Sequence, residues 1–285
     1  MPEAHVSVLG ATSLVGECLL PILSRSGWKL FAFSRRPPQP SVGGITWHGT
    51  GDRTWPQSGL WVCLAPIWVL PDYFDRLRKC GARRVVVLSS TSRFTKEDST
   101  DSAEQQVSRH LTAGESRLRT WAEGNGIEWV ILRPTLIYGR GRDKNIAEMA
   151  RFIRRFGFFP LLGEASGLRQ PIHAEDVAAA CVAALQSPAA AHRAYNISGG
   201  ETLSYREMVR RVFYALHRPP RPATMPLAVF RLAVTCLRLL PRYRHWSTAM
   251  AERMTRDLVF DHSDAVRDLG LSPRPFRLTA EDLPR

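Results

Sequence analysis

The segment GATSLVG, Gly10 to Gly16, follows the apolar run His5 to Leu9 and precedes an apolar-periodic stretch that begins at Leu14. A strand, a tight turn and a helix in that order leave the first helical N–H groups without partners, and those groups with the helix dipole suit a diphosphate. Gly10 permits the turn, Gly16 permits close packing of the helix on the strand, and Ser13 stands where a third glycine is usual, exchanging backbone room for a hydroxyl. The pattern assigns Gly10, Thr12, Ser13, Leu14, Val15 and Gly16 to a dinucleotide, the bland alternative being a purely structural turn. The second strand should end at Ser34, Arg35 and Arg36 with no acid nearby. An acid there would accept hydrogen bonds from the adenosine ribose of NAD, whereas guanidinium pairs with the extra phosphate of NADP, so NADP(H) is expected over NAD(H) unless both arginines are simply solvated. Asp52, in HGTGD, would either touch the adenine or cap its own turn.

A second group of cations could bind an anion. Arg140, Arg142 and Lys144 interleave with Asp143 and Asn145 beyond the sixth expected strand, where α/β proteins place their ligands. A small anionic metabolite is the partner this implies, against the alternative of a surface ion-pair cluster. Metal is not expected, because five cysteines, Cys18, Cys63, Cys80, Cys181 and Cys236, include no C-x-x-C pair; the same set argues against a disulfide framework and for a reducing, cytoplasmic setting.

The elements that must carry these groups are legible from periodicity. Strands are expected over residues 5–9, 29–33, 60–64, 84–88, 128–132 and 195–198, and helices over 14–24, 71–79, 104–123, 146–156 and 174–185. The stretch after SRRPPQP reads mainly as loop. Such alternation implies a Rossmann-type, doubly wound parallel sheet covered on both faces, with a smaller and mainly helical C-terminal lobe. Residues 1–138 form the expected dinucleotide-binding domain, its sheet completed by about residues 170–200; residues 139–285 form a substrate or partner lobe interleaved with it. Leu64, Ala65, Pro66, Ser89 and Pro134 are assigned to the cofactor site of this layout.

Composition sets limits. With 285 residues, 44% hydrophobic and 23% charged, the chain is an ordinary globular protein with a sizeable core. The net charge of +13 is spread through arginines without a like-charge block, and no basic-and-aromatic repeat for stacking bases occurs, so no nucleic-acid partner is expected. No signal-peptide progression is visible at the N-terminus. The longest apolar run, LWVCLAPIWVL from Leu60, is too short for a bilayer and contains a proline. The segment 225–246 mixes apolar residues with arginines and reads as a helix packed on its own domain, or else one lying on a membrane or a protein partner; oligomeric state is left open.

Together these motifs resemble the extended and atypical branches of the short-chain dehydrogenase/reductase superfamily, the group that holds the NAD-dependent epimerases and dehydratases. GATSLVG is similar to the family's phosphate turn, VVVLSSTS to its fifth strand with a catalytic Ser/Thr, ILRPTLIYGRG to its sixth strand and loop, RQPIHAEDVAAA to its R-D-x-I-H-V-x-D-V-A segment, and YNISGG to the strand that closes the sheet. The resemblance implies that Thr91 is catalytic and that Arg169 reaches a nucleotide-sugar diphosphate. It also implies a Tyr-x-x-x-Lys pair, but those positions fall on Val107 and Leu111, or with a slip of one residue on Gln106 and His110. General acid–base help is typically worth ~10²- to 10⁴-fold in rate, so its loss requires a substitute. Candidates are Thr91, Tyr138, Lys96, His110 and His173, each with a plain structural alternative. The expected function is therefore NADP(H)-dependent redox or epimerase/dehydratase-like chemistry on a polar anionic metabolite, with Arg140, Arg142, Asn145 and Arg169 on the substrate. The alternative is a non-catalytic dinucleotide-binding sensor or accessory subunit.

Overall fold

The computed structural model describes residues 5–38, 44–226, 229 and 253–284. Its first half alternates strand and helix: β1 (His5–Leu9), α1 (Leu14–Arg25), β2 (Lys29–Ser34), β3 (Ile45–Gly49), β4 (Leu60–Cys63), α2 (Phe74–Lys79), β5 (Arg84–Leu88), α3 (Ser92–Thr95), α4 (Ser102–Gly124) and β6 (Glu128–Pro134). After β7 (Ile137–Tyr138), α5 (Ile146–Phe156), β8 (Phe159–Leu162), β9 (Leu168–Arg169), β10 (Ile172–His173) and α6 (Ala174–Gln186), the chain returns to the sheet as β11 (Arg193–Ile197). Then come β12 (Leu203–Ser204), α7 (Tyr205–Ala215), β13 (Pro222–Met225) and a last helix, Ser263–Leu269.

Seven parallel strands make one sheet in the order β11-β6-β5-β4-β1-β2-β3. Chain order reverses between β1 and β4, and it is outside the carboxyl ends at such a point that an open sheet leaves a crevice. Side chains alternate across the sheet because the strand period is two. Val86 and Val130 face α1 and α6, together with Leu19, Leu23, Val177 and Cys181. Val85, Val87, Trp129 and Ile131 face the other layer, with Ile67, Leu77, Leu111 and Leu118. A separate cluster around Ile146, Phe152, Val209 and Phe213 joins α5 and α7.

The sheet bears out the Rossmann reading, with local differences. The expected loop before Asp52 contains β3, whose pairing with β2 runs from Leu30 opposite Ile45 to Ser34 opposite Gly49. The expected helix over 71–79 is a 3₁₀ turn, Ile67–Tyr73, followed by α2, because Pro71 cannot donate within a regular helix. Helix α4 begins at Ser102 rather than Glu104, since the Asp101 carboxylate accepts from Ala103 N at 2.9 Å and caps it. Beyond α7 the described residues include β13 and the helix Ser263–Leu269, and much of the rest of the tail expected to be mainly helical lies outside the described residues. The segment 225–246 lies almost wholly outside the described residues. Among those residues no helix is long and apolar enough to cross a membrane.

The C-terminal tail is held by a buried polar latch. His173 caps α6, its Nδ1 accepting from Glu175 N at 3.2 Å, so its proton sits on Nε2 and donates to Asp282 at 3.0 Å. Thr279 donates to the same carboxylate from its backbone N and its hydroxyl, each at 2.9 Å. Burial opposes the Asp282 charge, but the bonds from His173 and Thr279 win and hold its pKa at about 2. A depressed carboxylate contributes stability above its unfolded pKa and loses it as pH falls through the folded value. Asp282→Asn should therefore flatten the loss of stability between about pH 4 and pH 2, measured as denaturant midpoints across that window.

Candidate functional site

The turn after β1 is set by two backbone bonds: Gly10 N and Ala11 N both donate to the Phe33 carbonyl at the end of β2, at 3.0 and 3.1 Å. Gly10 adopts φ +82°, and a Cβ there would lie 2.7 Å from Ala65 N, so a side chain would collide with the chain leaving β4. Gly16 is needed for a different contact from the one expected. Its Cβ would fall 2.3 Å from the Ala11 carbonyl oxygen, so it is the turn itself, rather than the strand, that excludes a side chain. Ser13 caps α1, its hydroxyl accepting from Gly16 N at 3.1 Å. Among the described residues, the N–H groups of Thr12, Leu14 and Val15 have no hydrogen-bond partner. Three uncommitted amides at the positive end of a helix form an anion site.

The amides of Leu14 and Val15 open into a cleft of about 680 Å³ along the carboxyl ends of the sheet, lined by Ser13, Leu14 and Val15, by Leu64 to Trp68 after β4, by Leu88 to Ser92 after β5, and by Pro134 to Ile137 after β6. Val107 and Leu111 of α4 line the same cleft, so the positions where the family carries its proton-transferring pair present hydrocarbon here. Lys96, Arg142, Lys144, Asn145, Arg169 and Arg253 line it as well. Asp143 is the one acid in the lining; it is buried, and its carboxylate accepts from Asn145 N at 2.8 Å and Ala147 N at 3.2 Å, which starts α5.

The expected cofactor residues Leu64, Ala65, Pro66, Ser89 and Pro134 thus meet the turn in one place. Ser34, Arg35 and Arg36 stand at the end of β2. Ser34 Oγ is buried without a hydrogen-bond partner, and the two exposed arginines make no hydrogen bond or ion pair with a described residue. Free amides, an orphaned hydroxyl and two uncommitted guanidinium groups fit a phosphorylated dinucleotide. Asp52 caps its turn instead of pointing to a ligand: its carboxylate accepts from Gly49 N at 2.8 Å, and Arg76 fixes the same turn by donating to the Thr50 carbonyl at 2.7 Å.

Thr91 lines the cleft, and its hydroxyl donates to the Pro134 carbonyl at 3.2 Å, leaving the oxygen's lone pairs as acceptors. Tyr138, expected there, is wholly buried outside the lining. Its ring packs edge-on against His173 and Phe276, its hydroxyl donates to the Arg277 carbonyl at 3.4 Å, and burial pushes its pKa up to about 12. His110 is exposed beside Trp68, and His173 belongs to the tail latch. Of the substitutes for the missing pair, Thr91 and Lys96 alone reach the cleft. Burial lowers the pKa of the Lys96 ammonium, and the charge of Arg253 adds to this. Its partner is Glu104, at 3.7 Å.

Among the expected substrate residues, Arg140 turns away from the cleft toward Glu175, at 3.9 Å. Arg169 is 4% exposed and lies over the Tyr205 ring at 5.4 Å. It donates to the carbonyls of Leu168 at 2.7 Å, Arg256 at 2.8 Å, and Arg253. Among the described residues no carboxylate forms an ion pair with it; burial lowers its pKa against the charges of Tyr205 and Asp257, and a buried cation beside a cleft is costly unless anions offset it. Arg253, Tyr205, Leu258 and Phe260 complete this wall and were missed in the sequence, since each arrives from far along the chain without a motif.

A buried carboxylate sets the floor. Glu115 of α4, 1% exposed, accepts from Ser89 Oγ at 2.6 Å, from Arg133 at 2.7 and 3.0 Å, and from Arg93. Burial opposes its charge, but the hydrogen bonds from Arg133 and Ser89 and the charges of Arg133 and Arg93 hold its pKa below the usual carboxylate range. The cluster ties α4 to the ends of β5 and β6, and so positions Ser89 and the apolar wall.

The family described as NAD dependent epimerase/dehydratase matches residues 72–198. By this match the middle of the chain is similar to the NAD-dependent epimerase/dehydratase family. The match begins after the phosphate turn, which the fold supplies independently. A UDP-glucose 4-epimerase of Vibrio cholerae is 26% identical over 159 residues, 56% of this chain and 46% of that protein. An Arabidopsis thaliana protein described as mitochondrial NADH dehydrogenase [ubiquinone] 1 alpha subcomplex subunit 9 is 25% identical over 160 residues, 53% of this chain and 40% of that one. The chain spans about half the length, or less, of the curated relatives it matches. In fold it is similar to the UDP-glucuronic acid 4-epimerase of Bacillus cereus solved in complex with NAD, with a TM-score of 0.72 and 14% identity over 98% of this chain and 95% of that one. Two substitutions report on the site's framework. Glu115→Gln leaves its arginines without a counter-charge and should cost roughly 3–5 kcal/mol in denaturant unfolding. Gly16→Ala, forced against the Ala11 carbonyl, should cost about 1–3 kcal/mol in the same measurement.

Proposed function

We propose that the chain holds a nicotinamide dinucleotide along the carboxyl ends of its sheet, NADP(H) in preference to NAD(H), and acts by redox or epimerase-like chemistry on a polar anionic metabolite of the nucleotide-sugar class. The observation that carries this reading is the meeting, in one cleft, of the uncommitted amides of Leu14 and Val15 with the buried Arg169, which has no ion pair among the described residues. The NAD complex of the similar Bacillus cereus epimerase supports the cofactor class. The preference for the phosphorylated form rests on Arg35 and Arg36 at the end of β2, where an acid would otherwise accept from ribose.

When bound, the cofactor supplies the hydride acceptor or donor. The chain's own residues would bind and orient around it. Thr91 offers an oxygen acceptor to a substrate hydroxyl, Arg169 and Asn145 stand ready for anionic and polar groups, and Lys96 is the nearest cleft-lining group whose proton is loosened. Val107 and Leu111 contribute no proton transfer, which favours a second reading: a dinucleotide-binding sensor or accessory subunit without turnover, the class to which the Arabidopsis relative's description points.

Calorimetric titration with NADP⁺ and NAD⁺ tests the binding claim, and absorbance of the reduced nicotinamide over a panel of sugar nucleotides and carbonyl compounds separates the two readings. Neutralisation of both Arg35 and Arg36 to Gln should weaken NADP⁺ by about a hundred-fold or more while leaving NAD⁺ nearly unchanged, since each charge-assisted bond contributes about 1.5–3 kcal/mol. Equal loss for both dinucleotides would remove the NADP assignment; binding without any turnover would favour the accessory reading.

A further inference from the structure

We propose that Arg142 is a second clamp on the cofactor's diphosphate, delivered beside the Gly-rich turn from the loop that follows β7, with Glu17 holding its place until the diphosphate arrives. The proposal rests on the dinucleotide reading above and deepens it. Arg142 lines the same cleft as Ser13, Leu14 and Val15. Its guanidinium is ion-paired with Glu17, which lies in the first turn of α1, directly beyond the free amides. Among the described residues Arg142 has no other ion pair.

The pair is poorly placed to be permanent. The two side chains are 53% and 36% exposed, and a pair so solvated is worth at most about 1 kcal/mol. An acid in a first helical turn favours the helix when nothing is bound. Beside an incoming diphosphate the same acid repels, and Arg142 is the group that cancels it. A diphosphate held on fixed amides offers guanidinium several oxygens in a geometry that suits its paired N–H groups better than one mobile carboxylate does.

The backbone on both sides of Arg142 is fixed, which is what a clamp requires. Gly139, Arg140 and Gly141 take φ of +129°, +52° and +60° in succession, and for Arg140 this is an uncommon conformation that the surroundings must impose. Gly141 presses on the Leu283 carbonyl, where a Cβ would lie 2.4 Å away. Arg151 donates to the Gly141 carbonyl at 3.0 Å, and Arg140 N reaches Asp282 at 3.4 Å. On the far side the buried Asp143 fixes the start of α5. The tail latch thus sets the loop, and the loop presents a half-exposed guanidinium beside the turn.

The test is a set of titrations of the full chain, wild type, Arg142→Gln and Glu17→Gln, with NADP⁺, NAD⁺ and adenosine 2′-monophosphate, which has no diphosphate. Arg142→Gln should weaken whichever dinucleotide the wild type binds by about ten-fold or more, as expected for one charge-assisted contact, and leave adenosine 2′-monophosphate unchanged. Glu17→Gln should tighten the dinucleotide several-fold, again without effect on the monophosphate. Unchanged dinucleotide affinity in Arg142→Gln overturns the clamp, as does equal weakening of all three ligands or a weaker dinucleotide in Glu17→Gln. Failure of the dinucleotide reading itself is visible separately, because the wild type would then bind neither NADP⁺ nor NAD⁺.

Discussion

The arrangement of this molecule depends on two backbone bonds, those from Gly10 and Ala11 to the Phe33 carbonyl. They dock the first turn onto the end of the second strand, and a turn so held must enter its helix at once. The helix then starts with amides that neither the turn nor the strand can satisfy, apart from the one taken by Ser13. Because β1 lies beside β4 and β2 at the centre of the sheet, those amides face the crevice made by the strand-order reversal. Anion affinity is thus a consequence of closing the first crossover tightly.

The rest of the cleft shows how a Rossmann frame is kept while hydrocarbon side chains line its helical wall. Helix α4 keeps its place: Glu115 receives Ser89, Arg133 of β6 and Arg93 of α3, and Gly114 lets the helix approach Ile67, where a Cβ would lie 3.0 Å from that side chain. One turn away, Leu111 and Val107 present hydrocarbon where hydroxyl and ammonium groups would be expected. Packing of the helix and chemistry on its cleft face are therefore separable. A buried carboxylate cluster positions the helix from one side, and substitutions on the adjoining face leave that cluster intact.

Charge in the cleft follows the same separation of framework from ligand. Arg93 and Arg133 are framework, committed to Glu115. Arg169 is framework through its carbonyl bonds but has no ion pair among the described residues, and Arg142 and Lys144 stay exposed. Arg253 pairs with Glu104 across the cleft, as Arg142 pairs with Glu17, so on both sides a cation lining the cleft is matched with an acid in the first turn of a Rossmann helix. The tail around Asp282, remote in sequence, fixes the loop from which one of these cations extends.

The sequence by itself determined the parallel sheet, the phosphate turn and the absence of the usual proton-transferring pair. These are local: a strand period of two, a glycine tight against its own turn, and residue types at fixed spacing on one helix depend on neighbours a few positions away. It could not place β3, because SRRPPQP hides an edge strand whose stability comes from pairing with β2. Nor could it separate Arg142 from Arg140, or Thr91 from Tyr138, although both pairs lie in recognisable motifs. Only the tertiary structure decided which side chains turn into the cleft and which are taken up by Asp282, Glu175 or the Arg277 carbonyl, because burial and pairing are set by partners distant in the chain, more than a hundred residues away for Asp282 and Arg277.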